Sequence, residues 1–210
     1  MAILVIATAE LFLLPLLLLL WKRRLRPSGT QARVAVVVFG DLGRSPRMQY
    51  HARSLALRAR RVALVGYPGT QSHGDIIRNG NIEIVPMTEL KVWQVGPKVF
   101  QYLAKVILQS LQLLYTMLSI NKPGHVLLQN LPGLPSIAVT WLVCLLQGSK
   151  FIIDWHNYGY TIMSLTYGKR RPIVQIARWY EEFFGHFSDD NICVMNAMKE
   201  DLGKNCNIRG

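Results

Sequence analysis

The stretch VAVVVFGDLGRSPRMQY, residues Val34–Tyr50, decides the fold of this chain. Val34–Phe39 is apolar and largely β-branched without alternation, which predicts a strand that is buried on both faces. The tight turn GDLG follows at positions 40–43. Ser45 and Pro46 are suited to the N-cap and to the first position of a helix. The stretch therefore predicts a strand, a glycine turn and a helix in succession.

The start of this helix is a candidate anion site. A helix N-terminus presents unpaired backbone N–H groups and the positive end of the helix macrodipole. Arg44 and Arg47 add two full positive charges there. We predict that they form a phosphate or diphosphate cradle with Gly40, Gly43 and Ser45. The alternative is an ordinary strand-to-helix turn with exposed arginines.

The composition favours an anionic partner. The 210 residues include 24 Lys and Arg against 12 Asp and Glu, which gives a formal net charge of +12. Such a charge suits a phosphorylated substrate, membrane lipid or nucleic acid. The chain has no zinc-finger or RNA-binding signature, so we predict no nucleic-acid partner. The three cysteines are far apart, and their spacing predicts neither a disulfide framework nor a metal site.

Residues 1–21 are predicted to form a transmembrane anchor. Ala2–Trp21 is almost wholly apolar and is long enough to cross a hydrocarbon core of about 30 Å. Glu10 costs roughly 2.5–3.5 kcal/mol in mid-membrane, which the surrounding apolar residues outweigh. The basic linker 22–32 follows, and by the positive-inside rule it places the body of the protein in the cytosol. A cleaved signal peptide is disfavoured because no basic residue precedes the apolar run.

Residues 33–210 alternate strand and helix patterns and are predicted to form one Rossmann-like domain. After the first strand, further strands are predicted at Val62–Gly66, Ile82–Pro86, His125–Gln129, Phe151–Trp155 and Asn191–Met195. Helices are predicted at 46–59, 97–120, 136–146, 173–187 and 197–204, and 67–81 is predicted to be a loop or a short irregular helix. This alternation predicts an α/β fold with a doubly wound parallel sheet.

Polar residues follow three of these strands. Gly40-Asp41, Asn130 and His156-Asn157 all fall at carboxyl ends of strands, where ligands bind in parallel sheets. We therefore expect them to share one crevice. Asp41 is a candidate base, and its alternative role is to hydrogen-bond its own turn.

Asp154 and His156 form the densest group of reactive side chains. They are two residues apart in an extended segment, so we expect them to share a face and the carboxylate to orient the imidazole. The alternative is that Asp154 caps the next turn and that His156 pairs with buried backbone. Glu181 and Glu182 lie on a helix and are predicted to form a solvated face.

Several segments resemble one enzyme family. The segments GDLGRSPRMQYHA, LLQNLPGLPSIAV, IIDWHNYGY and RWYEEFFG resemble the β-1,4-mannosyltransferases that act on chitobiosyl-diphosphodolichol. The resemblance implies the N-terminal, acceptor-side lobe of a GT-B glycosyltransferase, with the C-terminal donor-binding lobe absent. It implies inverting transfer of the first mannose of the N-glycan precursor from GDP-mannose, with no cofactor and no metal. The implied location is the cytosolic face of the endoplasmic reticulum membrane.

The resemblance also implies partners and roles for residues. The partners are a dolichol-linked diphosphate acceptor, the endoplasmic reticulum membrane and other glycosyltransferases of the dolichol pathway. Acceptor or diphosphate binding is assigned to Gly40, Gly43, Arg44, Ser45, Arg47, Asn130, Asp154 and Asn157. An inverting displacement needs a base on the acceptor hydroxyl, and Asp41 and His156 are the candidates.

Two other functions are weighed against transferase activity. The 210 residues alone are expected to be inactive, so a non-catalytic membrane-anchored scaffold is one alternative. A nucleotide-dependent oxidoreductase is the other. It is disfavoured because the first turn, GDLGRS, lacks the G-x-G-x-x-G pattern.

Overall fold

The computed structural model of the chain describes residues 33–58, 60–88, 98–130, 133–205 and 208. The predicted anchor, 1–21, and the predicted linker, 22–32, lie outside these residues. Of the helices within the described ranges, none has the length and apolar character needed to cross a bilayer.

Six strands form one parallel sheet in the order β3-β2-β1-β4-β5-β6. Their bounds are Val34–Asp41 for β1, Val62–Tyr67 for β2, Ile82–Pro86 for β3, His125–Gln129 for β4, Lys150–Trp155 for β5 and Asp190–Cys193 for β6. All five neighbouring pairs are parallel. The predicted parallel sheet and all six predicted strands are confirmed, although β6 ends two residues before Met195.

Seven helices are present in the described part of the chain. Their bounds are Pro46–Leu57 for α1, Gly74–Ile77 for α2, Lys98–Ser119 for α3, Gly133–Gln147 for α4, Gly159–Tyr167 for α5, Pro172–Gly185 for α6 and Asn196–Asn205 for α7. The short helix anticipated within 67–81 is α2. Helix α5 was not predicted, because it begins at a glycine directly after a strand end and no Ser, Thr, Asp or Asn stands at its N-cap.

The sheet separates two apolar cores, which fixes the sides on which the helices lie. Val34, Val36 and Val38 of β1 pack in a core with α1 and α2. The alternate residues of β1, among them Val37 and Phe39, pack in a second core with α3, α4 and α6. The expectation that β1 is buried on both faces is therefore confirmed.

Gly66 of β2 lies where the turn after β1 closes onto the sheet. A Cβ at this position would lie 2.6 Å from Cδ2 of Leu42 and 2.7 Å from the carbonyl oxygen of Val38. Leu42 is buried, so it has little room to move away. Only glycine therefore allows β2 to pass so close to the turn that carries the candidate anion site.

We expect Gly66→Ala to lower the free energy of unfolding by about 1–3 kcal/mol, because the added methyl group overpacks this contact. Urea unfolding of the full chain in a mild detergent measures the effect. Gly80→Ala is the matched control, since a Cβ there meets no atom within 4 Å. An equal loss of stability in the two variants would contradict the close approach at Gly66.

Candidate functional site

The carboxyl ends of β1, β4 and β5 meet at one edge of the sheet, because these three strands are neighbours in the order β1-β4-β5. The backbone N–H of Asn130 donates to the carbonyl oxygen of Asp154 at 3.0 Å. The side-chain amide of Asn130 donates to the carbonyl oxygen of Asn157 at 3.4 Å. The structure therefore brings Asn130, Asp154 and Asn157 together at this edge, as the strand ends predicted.

The glycine turn is held by the side chain of Asp41. Its carboxylate accepts hydrogen bonds from the N–H of Gly43 at 2.9 Å, the N–H of Thr70 at 2.8 Å and the hydroxyl of Thr70 at 2.6 Å. These bonds, and above all the one from the Thr70 hydroxyl, lower the pKa of Asp41. A carboxylate with a lowered pKa is a weaker base. The contacts match the turn-holding alternative, and the role of Asp41 as a base stays a prediction.

Ser45 stands at the N-cap position of α1, but its side chain does not cap the helix. Its hydroxyl instead donates to the carbonyl oxygen of Asp41 at 3.2 Å. The expected capping by this side chain is therefore wrong, because the hydroxyl is turned back toward the end of β1. The start of α1 retains N–H groups without a side-chain cap, which is the property an anion site requires.

Arg47, in the first turn of α1, forms a bidentate ion pair with Asp154. Nε lies 2.7 Å from Oδ2, and Nη2 lies 2.7 Å from Oδ1. The side chain of Asp154 is fully buried, whereas that of Arg47 is 31% exposed. The predicted diphosphate contact of Arg47 is untested, but the guanidinium already serves as the countercharge that a buried carboxylate requires.

The histidine beside Asp154 is His51, not His156. Nε2 of His51 lies 3.8 Å from Oδ2 of Asp154. The chain bends at His156, which is exposed, and its imidazole forms no ion pair with Asp154. The predicted pairing of Asp154 with His156 is therefore wrong, because β5 ends at Trp155. A sequence signal for His51 existed, since it stands four residues after Arg47 on one helix face.

The environment of His51 favours its neutral form. Burial lowers the pKa of His51 and outweighs the attraction of the Asp154 carboxylate. Nε2 of His51 is buried without a hydrogen-bond partner among the described residues. The imidazole therefore lies beside the Arg47–Asp154 pair as a neutral ring.

Glu181 of α6 is buried, contrary to the solvated face predicted for it. It is only 2% exposed, and its carboxylate accepts the N–H of Gly159 at 3.1 Å. The N–H of Tyr160 and the amide of Asn130 also donate to it. Burial raises the pKa of Glu181 to about 7 despite these bonds. The carboxylate thus caps the start of α5 and joins that helix to Asn130.

The spacing of residues on α6 contains a signal for the burial of Glu181. Glu181 stands seven and four residues after Val174 and Ala177, which are both buried on α6. That spacing places all three on one helix face. Glu182, its neighbour, pairs with Arg178 at 2.7 Å and is partly exposed, so the prediction of a solvated position is correct for Glu182 alone.

A cleft of about 370 Å³ opens beside the glycine turn and the first two turns of α1. It is lined by Gly43, Pro46, Gln49, Tyr50, Arg53, Gln71, His73, Asp75 and Ile76. The side chain of Gln49 connects two segments that line the cleft. Its amide nitrogen donates to the carbonyl oxygen of Leu42, and its amide oxygen accepts a hydrogen bond from the N–H of His73. Within the described ranges, no cluster of three or more His, Cys, Asp or Glu side chains could hold a metal ion.

Comparison with known proteins finds relatives across most of the chain. The human chitobiosyldiphosphodolichol beta-mannosyltransferase is 52% identical over 197 residues, which cover 94% of this chain and 42% of the human protein. The mouse protein of the same name is 50% identical over 208 residues, which cover 99% of this chain. The chain is a homologue of the chitobiosyldiphosphodolichol beta-mannosyltransferases. The resemblance carried by its motifs is thereby confirmed, and the chain spans about two fifths of the length of these relatives.

Other comparisons concern the wider family and the fold. The UDP-glycosyltransferase TURAN of Arabidopsis thaliana is 37% identical over 187 residues. No family model matches the chain. The crystal structure of Glycyrrhiza uralensis UGT73P12 complexed with glycyrrhetinic acid 3-O-monoglucuronide superposes with a TM-score of 0.53 at 12% identity, covering 86% of this chain and 48% of that one. The six-stranded sheet thus resembles the N-terminal lobe of GT-B glycosyltransferases.

The raised pKa of Glu181 makes stability depend on pH. Because the pKa is about 7 in the fold and 4.5 ordinarily, the folded state binds this proton more tightly than the unfolded chain does. The stabilising contribution is complete below pH 4.5 and is lost as the pH rises to 7. We expect a loss of at most about 3.5 kcal/mol over this window, at roughly 1.4 kcal/mol for each pH unit.

Urea unfolding at several pH values checks this expectation with two variants. Glu181→Gln keeps an acceptor and removes the titration, so it should flatten the fall in stability between pH 4.5 and 7. Glu182→Gln is the control on the same helix and should keep the fall. A wild-type pH dependence in Glu181→Gln would show that Glu181 titrates at its ordinary pKa.

Proposed function

We propose that this chain is the acceptor-binding part of a mannosyltransferase that adds the first β-1,4-linked mannose from GDP-mannose to chitobiosyl-diphosphodolichol. The observation that carries the proposal is the 52% identity to the human enzyme across 94% of the chain. The site adds chemical support, because an exposed arginine and a helix start without a side-chain cap suit a diphosphate. We place the reaction at the cytosolic face of the endoplasmic reticulum membrane.

We propose that the acceptor diphosphate binds at the start of α1. The side chain of Arg44 is 82% exposed, and its only described ion pair is a 3.5 Å contact with Asp41. Exposed ion pairs of this kind contribute little and are readily exchanged for a phosphate. The backbone N–H groups of Arg47 and Met48 in the first turn of α1 add uncharged donors, whereas those of Arg44 and Ser45 already donate to carbonyl oxygens of the turn. The space beside Gly40 is open to a ligand, since a Cβ built there would meet only a methyl group of Val38, at 3.9 Å.

We propose that the acceptor sugars occupy the cleft next to this helix start. The ring of Tyr50 is 67% exposed at the cleft and offers a flat apolar face for a sugar ring. Arg53 and Asp75 face one another across 3.3 Å and offer a donor and an acceptor to hydroxyl and amide groups. The cleft adjoins Gly43, so one ligand with both a diphosphate and sugars fits both places.

We favour His156 over Asp41 as the base in this reaction. His156 is exposed at the end of β5, whereas the carboxylate of Asp41 accepts three hydrogen bonds and has a lowered pKa. Glu181 has a pKa in the useful range, but its carboxylate points to the start of α5. We therefore assign Glu181 a positioning role, in which it holds Asn130 and α5.

Transfer of labelled mannose from GDP-mannose to chitobiosyl-diphosphodolichol tests the proposal. The assay compares the 210-residue chain with a fusion in which the remaining part of the human enzyme follows it. We expect transfer by the fusion and none by the chain alone. Transfer by the chain alone would place the donor site within these 210 residues. A folded fusion without transfer would favour the non-catalytic scaffold.

The same fusion tests the base. His156→Ala should lower turnover by about 10²–10⁴-fold while acceptor binding is kept, because a positioned base contributes about that much. His125→Ala is the matched control, since His125 is also exposed but lies at the opposite end of the sheet, where β4 begins. Full turnover in the His156 variant would exclude it as the base and return the assignment to Asp41.

A further inference from the structure

Helix α6 exposes an apolar stripe on the side opposite its buried face. Val174, Ala177 and Tyr180 are buried against the core. The opposite side exposes four large apolar residues to solvent, namely Ile173 (51%), Ile176 (59%), Trp179 (59%) and Phe183 (44%). A surface helix of a soluble domain ordinarily places charged residues there. The stripe therefore requires a partner of its own.

Neighbouring helices extend this apolar surface. Helix α4 packs between α3 and α6 on the same side of the sheet, and α5 packs against α6. The outward residues of these helices are also apolar and exposed, among them Phe100, Ile107, Leu111 and Tyr115 on α3, Leu145 on α4, and Leu165 and Tyr167 on α5. We call this surface, from α3 across α4 and α6 to α5, the helical apolar surface. It is larger than the scattered apolar exposure that is normal for a monomer.

The charge around the helical apolar surface is predominantly positive, and the partly exposed acid of α6, Glu182, is paired with Arg178. Between positions 90 and 180 the sequence contains nine Lys and Arg residues and a single acid, Asp154. That acid is buried against Arg47, so it contributes no negative charge to the surface. The turn between α5 and α6 exposes three successive cations, Lys169, Arg170 and Arg171. An apolar surface rimmed by cations is complementary to a layer of anionic headgroups.

We propose that the helical apolar surface lies on the surface of a bilayer that contains anionic lipids, without crossing it. Trp179 and Tyr167 are the side chains that prefer the boundary between acyl chains and water. The cations at 169–171 are placed to reach the phosphates beside them. A second protein copy fits less well, because two such surfaces would bring their cationic rims together.

This contact would hold the candidate site close to the membrane. Helix α5 begins at Gly159, two residues after Asn157, and the Glu181 carboxylate fixes its start. A membrane contact through α5 and α6 is therefore connected to the carboxyl edge of the sheet by short, hydrogen-bonded segments. The inference does not require that the chain transfers mannose, so it stands or fails separately from the proposed function.

The test measures membrane contact at one position, because the predicted N-terminal anchor would by itself bind the full chain to vesicles. A cysteine introduced by Ile176→Cys is labelled with a fluorophore, in a full chain that carries Cys193→Ser and Cys206→Ser. Cys144 needs no replacement, since burial raises the pKa of its thiol to about 12. The control label is placed by Ser54→Cys, an exposed position of α1 on the other side of the sheet.

Both proteins are reconstituted in vesicles of phosphatidylcholine and phosphatidylserine with brominated acyl chains. We expect the brominated lipids to quench the fluorophore at position 176 and to quench the fluorophore at position 54 only a little. Reversal of three charges, Lys169→Glu with Arg170→Glu and Arg171→Glu, should lower quenching at 176 by roughly half or more. The matched reversal of Arg58, Arg60 and Arg61, which are exposed at the end of α1, should leave it unchanged.

Equal quenching at the two label positions, or none at position 176, would overturn the proposal. Self-quenching between labelled copies without quenching by lipid would identify a second copy as the occupant and would also overturn it. If the charge reversal at 169–171 left lipid quenching at position 176 unchanged, anionic lipid would have no role in the contact.

Discussion

The ion pair between Arg47 and Asp154 is the interaction on which the arrangement of the site depends. It joins the first turn of α1 to the last residues of β5, which are 107 positions apart in the sequence. The carboxylate is fully buried, so its charge requires a partner wherever the backbone places it. Removal of one member of such a pair leaves an uncompensated charge in the interior, which is far more costly than the loss of an exposed pair.

Three acids near the carboxyl edge are used for structure. Asp154 fixes α1, Asp41 fixes the glycine turn to Thr70, and Glu181 fixes the start of α5. Each is oriented by donors that reach it from a different element of the fold. The groups left exposed at the edge include the side chain of Arg44 and the imidazole of His156. This division explains why a cation and a histidine carry the proposed contacts with the substrate.

The sequence allowed the strands to be predicted, because the four central strands, β1, β2, β4 and β5, are largely apolar and largely buried. It did not allow the partner of Asp154 to be predicted. Arg47 is remote in sequence, whereas His156 is only two residues away. The burial of Glu181 was also not predicted, since an adjacent pair of glutamates is typical of a solvent-exposed helix face. Local patterns predict elements well, but the choice of partner for a buried charge depends on tertiary packing.

A double-mutant cycle on the ion pair tests this account most directly. The free energy of unfolding is measured by urea titration for Arg47→Met, Asp154→Leu and the double variant. We predict that Arg47→Met alone costs about 3–5 kcal/mol, because it leaves the carboxylate buried without a partner, and that the double variant loses less than the sum of the two single losses. Losses that add within about 0.5 kcal/mol would show that the two side chains are energetically independent and would contradict the account.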